Sequence, residues 1–350
     1  MMRPLVISID AMGGDNAPNV IVEGVEYYLN NSPGKYQVKF FLHGDETELQ
    51  PLLSEQKQAA AHAEIKHSSE HITIDTKLSH ALRHGQQMSM WRAIESVKNG
   101  EADAGISAGN TGALMAMSRM ILRMKGGMQR PALAAIWPNI TGMSVILDAG
   151  ANVTCTAAQL MKFAVLGDTY FRSLYQVEKP RIAILNNGTE GTKGNKTVQE
   201  AHKRLSESEI GLNYVGFVEG NCISSGDIDV VVTDGFTGNI AVKTAEGTAR
   251  HIGILFRETL QSTLWSRFTA FLNYIRFRRL KEMMDPRKMN GGVFLGLNGI
   301  IIKSHGGTDS VGFANAVSIA VKLARSSMLE DMEKTLMVLH NEDDDTGFLG

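Results

Sequence analysis

Ala102-Asp-Ala-Gly-Ile-Ser107-Ala-Gly-Asn-Thr-Gly112-Ala-Leu-Met-Ala-Met-Ser-Arg-Met-Ile-Leu-Arg-Met124 decides how the rest of the chain is read. Ala102 to Ser107 predicts a buried strand, Ala108 to Gly112 a sharp polar turn, and Ala113 to Met124 a helix with an apolar stripe. A strand that passes through small and polar residues straight into a helix is half of a βαβ unit. The pattern recurs along the chain. Leu5–Ile9 ends in Asp10-Ala-Met-Gly13-Gly14-Asp15, ahead of a helix to about Asn30. Val38–Leu42 ends in His43-Gly44-Asp45, and Met143–Leu147 in Asp148-Ala-Gly150-Ala-Asn152. Arg181–Leu185 reaches Asn186-Asn187-Gly188 and then Lys193-Gly194-Asn195. Asp229–Thr233 meets Asp234-Gly235-Phe-Thr237-Gly238-Asn239, and Gly299–Lys303 runs into Ser304-His305-Gly306-Gly307-Thr308-Asp309. The expectation is an α/β chain whose mostly parallel, Rossmann-like sheet is covered by helices.

In such sheets ligands bind beyond the carboxyl ends of the strands. Helix N-termini there present unpaired N–H groups and the positive end of the helix dipole. Seven polar strand ends exceed what turns alone require, and together they read as one floor for a polar, anionic ligand. The chain has no G-x-x-x-x-G-K-[ST], and no G-x-G-x-x-G opens its first βα unit, so a nucleotide phosphate chain is unsupported and a smaller anion fits better.

Composition narrows the class. The 350 residues are 43% hydrophobic and 21% charged, as in a globular protein and not a disordered one. A net charge of −2 gives no field that would attract nucleic acid. Two cysteines, Cys155 and Cys222, can build neither a disulfide framework nor a four-cysteine zinc site, which suggests a reducing cytoplasm. Both read as small buried hydrophobes. The apolar run Leu5–Ile9 is too short for a signal peptide, and the charge-free stretch Pro131–Leu147 is interrupted by Pro138, Asn139 and Gly142. Thirty-five glycines are the one bulk excess, and about a third of them sit in the strand-end clusters.

Other constellations carry their own chemistry. Gly105-Ile-Ser107-Ala-Gly109 spells a nucleophile elbow, and Asp234 and His305 follow in α/β-hydrolase order, so a serine esterase or thioesterase stands beside the anion-binding reading of the same turn. His80 and His84 share a helix face without the Glu of H-E-x-x-H, and read as a solvated pair. Asn139-Ile-Thr141 is a glycosylation sequon by spelling only. From 255 to 285 aromatic and aliphatic residues recur at helical spacing, and Ser262–Lys281 holds five basic residues and no acidic one. Such a basic amphipathic segment suits a membrane interface, an acidic partner or a subunit contact. The acidic run Glu342–Asp345 reads as a solvated tail over 341–350, which leaves 1–340 as one large α/β unit with a soft boundary between two lobes.

Read together, six ordered motifs resemble the phosphate acyltransferase family of bacterial phospholipid synthesis. They are Asp10–Asp15 with Ala17-Pro18, Ile106–Ala113, Leu147–Asn152, Lys193-Gly194-Asn195, Thr233–Asn239, and Gly296–Gly299 with His305-Gly306. Two segments depart from the pattern: Thr189 stands where the family has an acidic residue, and Val293-Phe294 where a small residue and Pro are commoner. The resemblance implies a fold like that of isocitrate dehydrogenase and phosphotransacetylase, in a homodimeric enzyme without a cofactor or metal. The implied reaction moves a long-chain acyl group from acyl carrier protein to inorganic phosphate. The acyl phosphate then serves a membrane glycerol-3-phosphate acyltransferase, with the enzyme cytoplasmic and peripherally bound to the inner face of the plasma membrane. It also implies roles. Lys193, Asn195, Asp234, Asn239 and His305 are expected at the chemistry. Asp10, Gly13, Gly14, Gly109, Asn110, Thr111 and Gly188 are expected around phosphate. Trp265, Phe268, Phe271, Arg276, Arg278 and Arg279 are expected to meet membrane or carrier protein.

Overall fold

A computed structural model describes residues 3–32, 37–73, 76–263, 265, 272–273 and 285–346. Among them the strands are β1 Leu5–Asp10, β2 Val38–Gly44, β3 Ala63–His67, β4 Ala104–Ser107, β5 Ala132–Pro138, β6 Met143–Leu147, β7 Ile182–Leu185, β8 Tyr214–Val218, β9 Val230–Val232, β10 Gly292–Leu295 and β11 Ile300–Lys303. The helices are α1 Asn19–Asn31, α2 Glu46–Ser54, α3 Lys57–His62, α4 Leu78–His84, α5 Ser89–Lys98, α6 Thr111–Leu122, α7 Ala157–Tyr175, α8 Lys196–Glu207, α9 Gly235–Gln261, α10 Ser310–Ala324 and α11 Met328–Thr346.

The strands form one sheet in the order β3-β2-β1-β4-β11-β10-β5-β6-β9-β7-β8. All seven expected strands are present. β1 is buried along its whole length, as a strand covered by helices on both faces must be. The sheet is mostly parallel, as expected, and its exceptions lie at the centre, where β10 runs antiparallel to both β11 and β5, and β5 antiparallel to β6. β5 and β6 are the two arms of a hairpin cut from the charge-free Pro131–Leu147 stretch, and the sequon residue Asn139 lies in its turn, bonding Gly142. The reversal sends the tips of β1, β4 and β11 one way along the sheet and those of β6, β9 and β7 the other. Twist of about 20–25° per neighbour adds up to roughly 100–125° over the five steps from β4 to β9, so the two halves of the sheet are turned well out of a common plane.

Helix starts are set by side chains in the strand-end clusters. Asn110 caps α6, Asn195 caps α8, Asp234 caps α9 and Asp309 caps α10, each accepting from a backbone N–H two or three residues on. The acidic run Glu342–Asp345 falls inside α11. The segment expected as an insertion over 255–285 begins within α9, while Phe268, Phe271, Arg276, Arg278 and Arg279 lie outside the described residues.

Candidate active site

The tips of β1, β4 and β11 lie side by side, with Asp10 opposite Ser107 and Ser107 opposite Lys303. Asp10 is fully buried and turned inward. Its Oδ1 accepts from Ser89 Oγ at 2.7 Å and its Oδ2 from Ser107 Oγ at 2.6 Å. Burial raises its pKa, while the two hydroxyls and the Met12 N–H pull it down. Asp10 therefore ties two loops together. Gly13 shows how close that tie is: a Cβ there would stand 2.4 Å from Asp10 Oδ2 and 2.9 Å from the Gly109 nitrogen.

Ser107 is 1% exposed. Its hydroxyl donates to Asp10 and accepts from the Gly109 N–H at 3.0 Å. Asp234 is committed to Thr237, accepting from its N–H at 2.8 Å and its hydroxyl at 3.0 Å. The elbow spelled by Gly105–Gly109 is thus a structural turn with its serine facing the core, and Ser107, Asp234 and His305 do not assemble as a triad. The Gly109 N–H, expected at a ligand, is spent on Ser107. Asn110 Oδ1 accepts from Ala113 N at 3.0 Å, so its amide Nδ2 and the N–H groups of Thr111 and Gly112 remain to face outward at the start of α6.

Lys303 is a residue the sequence reading passed over. It ends β11 and reaches the same turn, where its Nζ donates to the Ala108 carbonyl at 3.3 Å and to its neighbour Ser304. Burial pushes its ammonium from 10.5 down to about 8; Asp10 and Asp15 draw it up, and Lys243 of α9 lowers it further. His305 follows on an exposed loop pinned by Asn290, whose Oδ1 accepts from the His305 N–H at 2.7 Å and whose Nδ2 donates to Ser304 Oγ at 2.8 Å and to the Gly312 carbonyl at 2.7 Å. The Gly307 N–H donates to His305 Nδ1 at 3.2 Å. A nitrogen that accepts carries no proton, so the neutral ring keeps its proton on Nε2, pointed away from the loop. Gly14 sits against Ala108 and Gly306, and Asp15 N donates to the Gly306 carbonyl at 2.9 Å.

The opposite half-sheet builds a second cluster. Asp148 gathers five N–H donors, from Leu133, Gly150, Ala151 and both nitrogens of Asn152, at 2.7–3.1 Å. Burial raises its pKa against their pull. The start of α9 is pressed onto this turn: Gly235 N donates to the Asn152 carbonyl at 2.7 Å, and a Cβ on Gly238 would lie 1.9 Å from the Asp148 carbonyl oxygen. Asn239 then lies against Gly150. One turn further along, on the same face, is Lys243, the residue whose charge reaches Lys303. α9 is accordingly the bridge between the two sets of tips.

Lys193, Gly188 and Asn195 form a third group beside the second. The loop closes on itself: Gly188 packs on the Lys193 stem, Asn186 Nδ2 donates to the Gly188 carbonyl at 3.1 Å, and Gln199 Nε2 donates to the carbonyls of residues 192–194. Lys193 and Asn195 are exposed. Cys155 is half-buried and its thiol is pushed up to about 12, mainly by burial and then by Asp148 and Asp234. Cys222, expected inside, is exposed. His80 and His84 are exposed, their rings 5.0 Å apart. Trp265 is 77% exposed. Among the described residues no helix is long and apolar enough to cross a membrane.

Comparison with known proteins agrees with this geometry. The family described as fatty acid synthesis protein matches residues 5–331. The chain is 48% identical over 331 residues to a phosphate acyltransferase of Maricaulis maris, covering 94% of each, and 48% identical over 338 residues to that of Xanthobacter autotrophicus, covering 96% of this chain and 94% of the relative. Among solved structures, a phosphotransacetylase from Streptococcus pyogenes superposes with a TM-score of 0.62 at 17% identity, covering 92% of this chain and 94% of that one. A branched-chain phosphotransacylase from Enterococcus faecalis gives 0.55 at 12% identity, covering 92% and 99%. These two show the fold; the closer relatives show the chemistry, acyl transfer to phosphate. The chain belongs to the phosphate acyltransferases of the fatty acid synthesis protein family.

Proposed function

We propose that the acyl donor is the thioester of an acyl carrier protein carrying a long fatty chain, and that the acyl phosphate formed feeds phospholipid synthesis. The observation that carries the assignment of the reaction site is the Lys303 ammonium, bonded to the Ala108 carbonyl at the turn before α6 and within electrostatic reach of a second lysine, Lys243 of α9. Two like charges brought within reach at a helix N-terminus favour a dianion between them.

Hydrogen phosphate is itself the nucleophile. Its oxygen bonds to the thioester carbon, the C–S bond breaks after a tetrahedral oxyanion, and the phosphate proton ends on the departing sulfur. The products are acyl phosphate and the carrier thiol. A thiol with a pKa of about 8.5 leaves readily, so alignment and fixed donors matter more than a strong base. Lys303, the Asn110 amide and the free N–H groups of Thr111 and Gly112 hold phosphate. His305 Nε2–H donates to the oxyanion or the sulfur. Lys193 supplies a further cation, with the Asn195 and Asn239 amides beside it. Asp10 and Asp234 position these donors by bonding the turns and caps that carry them. The enzyme works as a homodimer at the membrane surface, handing its product to a membrane glycerol-3-phosphate acyltransferase.

The test is incubation of purified protein with carrier-bound acyl thioester, with and without phosphate. Acyl phosphate formed only with phosphate supports the reading. Free fatty acid released without phosphate would return the chain to the thioesterases, as would labelling of Ser107 by a fluorophosphonate.

A further inference from the structure

Acidic residues are absent from two stretches of a chain that has 37 of them. One runs from Ala104 through Leu147 and holds Arg119, Arg123, Lys125 and Arg130. The other runs from Thr76 through Ile94 and holds Lys77, His80, Arg83, His84 and Arg92. The fold puts them side by side, because α4 packs on α6 through Ala81 and Leu82 against Leu114 and Met117. Lys125 is paired with Glu333 at 2.7 Å and Arg92 with Glu95 at 3.1 Å. Lys77, Arg83, Arg119 and Arg123 are exposed and make no ion pair among the described residues.

The outer stripe of α6 joins these cations to the reaction site. Thr111 and Gly112 are exposed, Met115 and Ala116 half-buried, and Arg119 and Arg123 exposed, at three- and four-residue spacing along one face. Twelve residues of helix give a rail of about 18 Å from the phosphate-facing N-terminus to Arg123. Arg123 is itself out of the ordinary. Its φ is +66° with ψ 171°, a conformation suited to glycine, and it is held there by Asn298, whose N–H donates to the Arg123 carbonyl at 3.2 Å and whose amide donates to the Met124 carbonyl at 3.1 Å. Strain kept at a residue with a long charged side chain points to a use for that side chain.

We infer that the face formed by α4 and the outer stripe of α6 docks the acidic carrier protein. Arg83, Arg119 and Arg123 meet its carboxylates, and the flexible arm bearing the thioester lies along Met115 and Gly112 into the Lys303 site. This rests on the carrier-donor reading above. A lipid surface fits the face less well: Leu78 is its one large exposed apolar side chain, and an interfacial helix needs an apolar face to insert.

The experiment is a charge reversal, R119E with R123E, assayed on the carrier thioester and, in parallel, on a small acyl-pantetheine thioester. The expected result is a rise of about tenfold or more in KM for the carrier substrate, with a flattened salt dependence. kcat and the small-thioester kinetics stay at wild-type values. A second variant, Arg119→Gln with Arg123→Gly, removes the charges without adding new ones, and glycine suits the backbone at 123; an undiminished melting temperature with raised carrier KM separates docking from folding. Unchanged carrier KM in both variants overturns the docking face. So does lost binding to vesicles containing about a fifth anionic phospholipid when carrier KM is unchanged, in which case the face belongs to lipid. A wild-type enzyme that uses the small thioester with phosphate but not the carrier thioester overturns the donor reading itself. Phosphate-independent turnover of both would overturn the reaction.

Discussion

Replacing Lys303 with Met is expected to cost most of the activity while leaving the fold as stable as before, or more so. The folded-state pKa of Lys303 lies near 8 against an ordinary 10.5. A difference of that size corresponds to about 3 kcal/mol held against the ammonium at neutral pH. Because the folded pKa is the lower one, the penalty is fully present below pH 8 and fades as pH rises toward 10.5, where the unfolded lysine also loses its proton. Methionine fills a similar volume without charge. It forfeits the bonds to the Ala108 and Ser304 carbonyls, worth about 1–2 kcal/mol. The balance is a gain of about 1–2 kcal/mol, to be read from urea unfolding at pH 7 and to shrink by pH 10. Turnover should fall about a hundredfold, the scale of one lost oxyanion or phosphate donor. The wild-type rate should decline as pH rises through about 8, a limb that Lys303→Arg should lack, since guanidinium keeps its charge. A methionine variant that keeps a third of the wild-type rate, or unfolds several kcal/mol more easily at pH 7, would refute the reasoning.

Lys193→Ala should lower turnover about a hundredfold on the same scale, and near-normal turnover would remove Lys193 from the site. Ser107→Ala should destabilise by about 1–3 kcal/mol, because the buried Asp10 loses a donor, yet keep turnover within about tenfold; a serine nucleophile would lose far more. Gly238→Ala should destabilise by about 3 kcal/mol or more, since its methyl meets the Asp148 carbonyl and lifts the start of α9 off its turn; an unshifted melting temperature would show that the two can part cheaply. Asn290→Ala should free the His305 loop, cutting turnover with little change in phosphate KM, and a normal rate would mean that His305 needs no such support.

Seven of the strands were readable because each carries its own evidence: a short β-branched run, then a small polar turn. β3, β5, β8 and β10 were not, and β5 and β10 are what reverses half of the sheet. β5 is Ala132-Leu-Ala-Ala-Ile-Trp-Pro138, alanine-rich and closed by proline, with little β-branched signal of its own. Its identity comes from pairing with β6 and β10, which is tertiary information. β10 follows residues whose sequence suggested only helix. The site divides in the same way. The glycine clusters announced the turns, and Asn110, Asn195 and Asp234 were legible as residues at helix starts, but which of their atoms stay free depends on capping bonds made in three dimensions. Asp10 was legible as a member of the first glycine cluster; that it is a buried tie between two serines was not. Lys303 looked like the last residue of an apolar strand. Nothing in Gly299–Lys303 says that the side chain turns back to the Ala108 carbonyl, nor that Lys243, 60 positions earlier, faces it.

That arrangement explains how a site without a strong base can favour phosphorolysis over hydrolysis. Water and hydrogen phosphate compete for the same thioester carbon, and water is far more abundant. A preference for phosphate has to come from binding that water cannot share. A lysine already paired with a carboxylate offers little of it, because the incoming anion must displace a partner of like charge. Lys303 has Asp10 and Asp15 near enough to draw its pKa upward, yet its described bonds go to carbonyl oxygens, and burial still leaves its ammonium under-solvated. A dianion arriving there supplies the counter-charge that the fold withholds, so the free energy stored against the ammonium is recovered in the complex. Water carries no charge and recovers none of it. The same reasoning assigns Asp10 its inward orientation. Its hydroxyl partners hold it away from the phosphate position, where a facing carboxylate would repel the substrate that Lys303 is placed to attract.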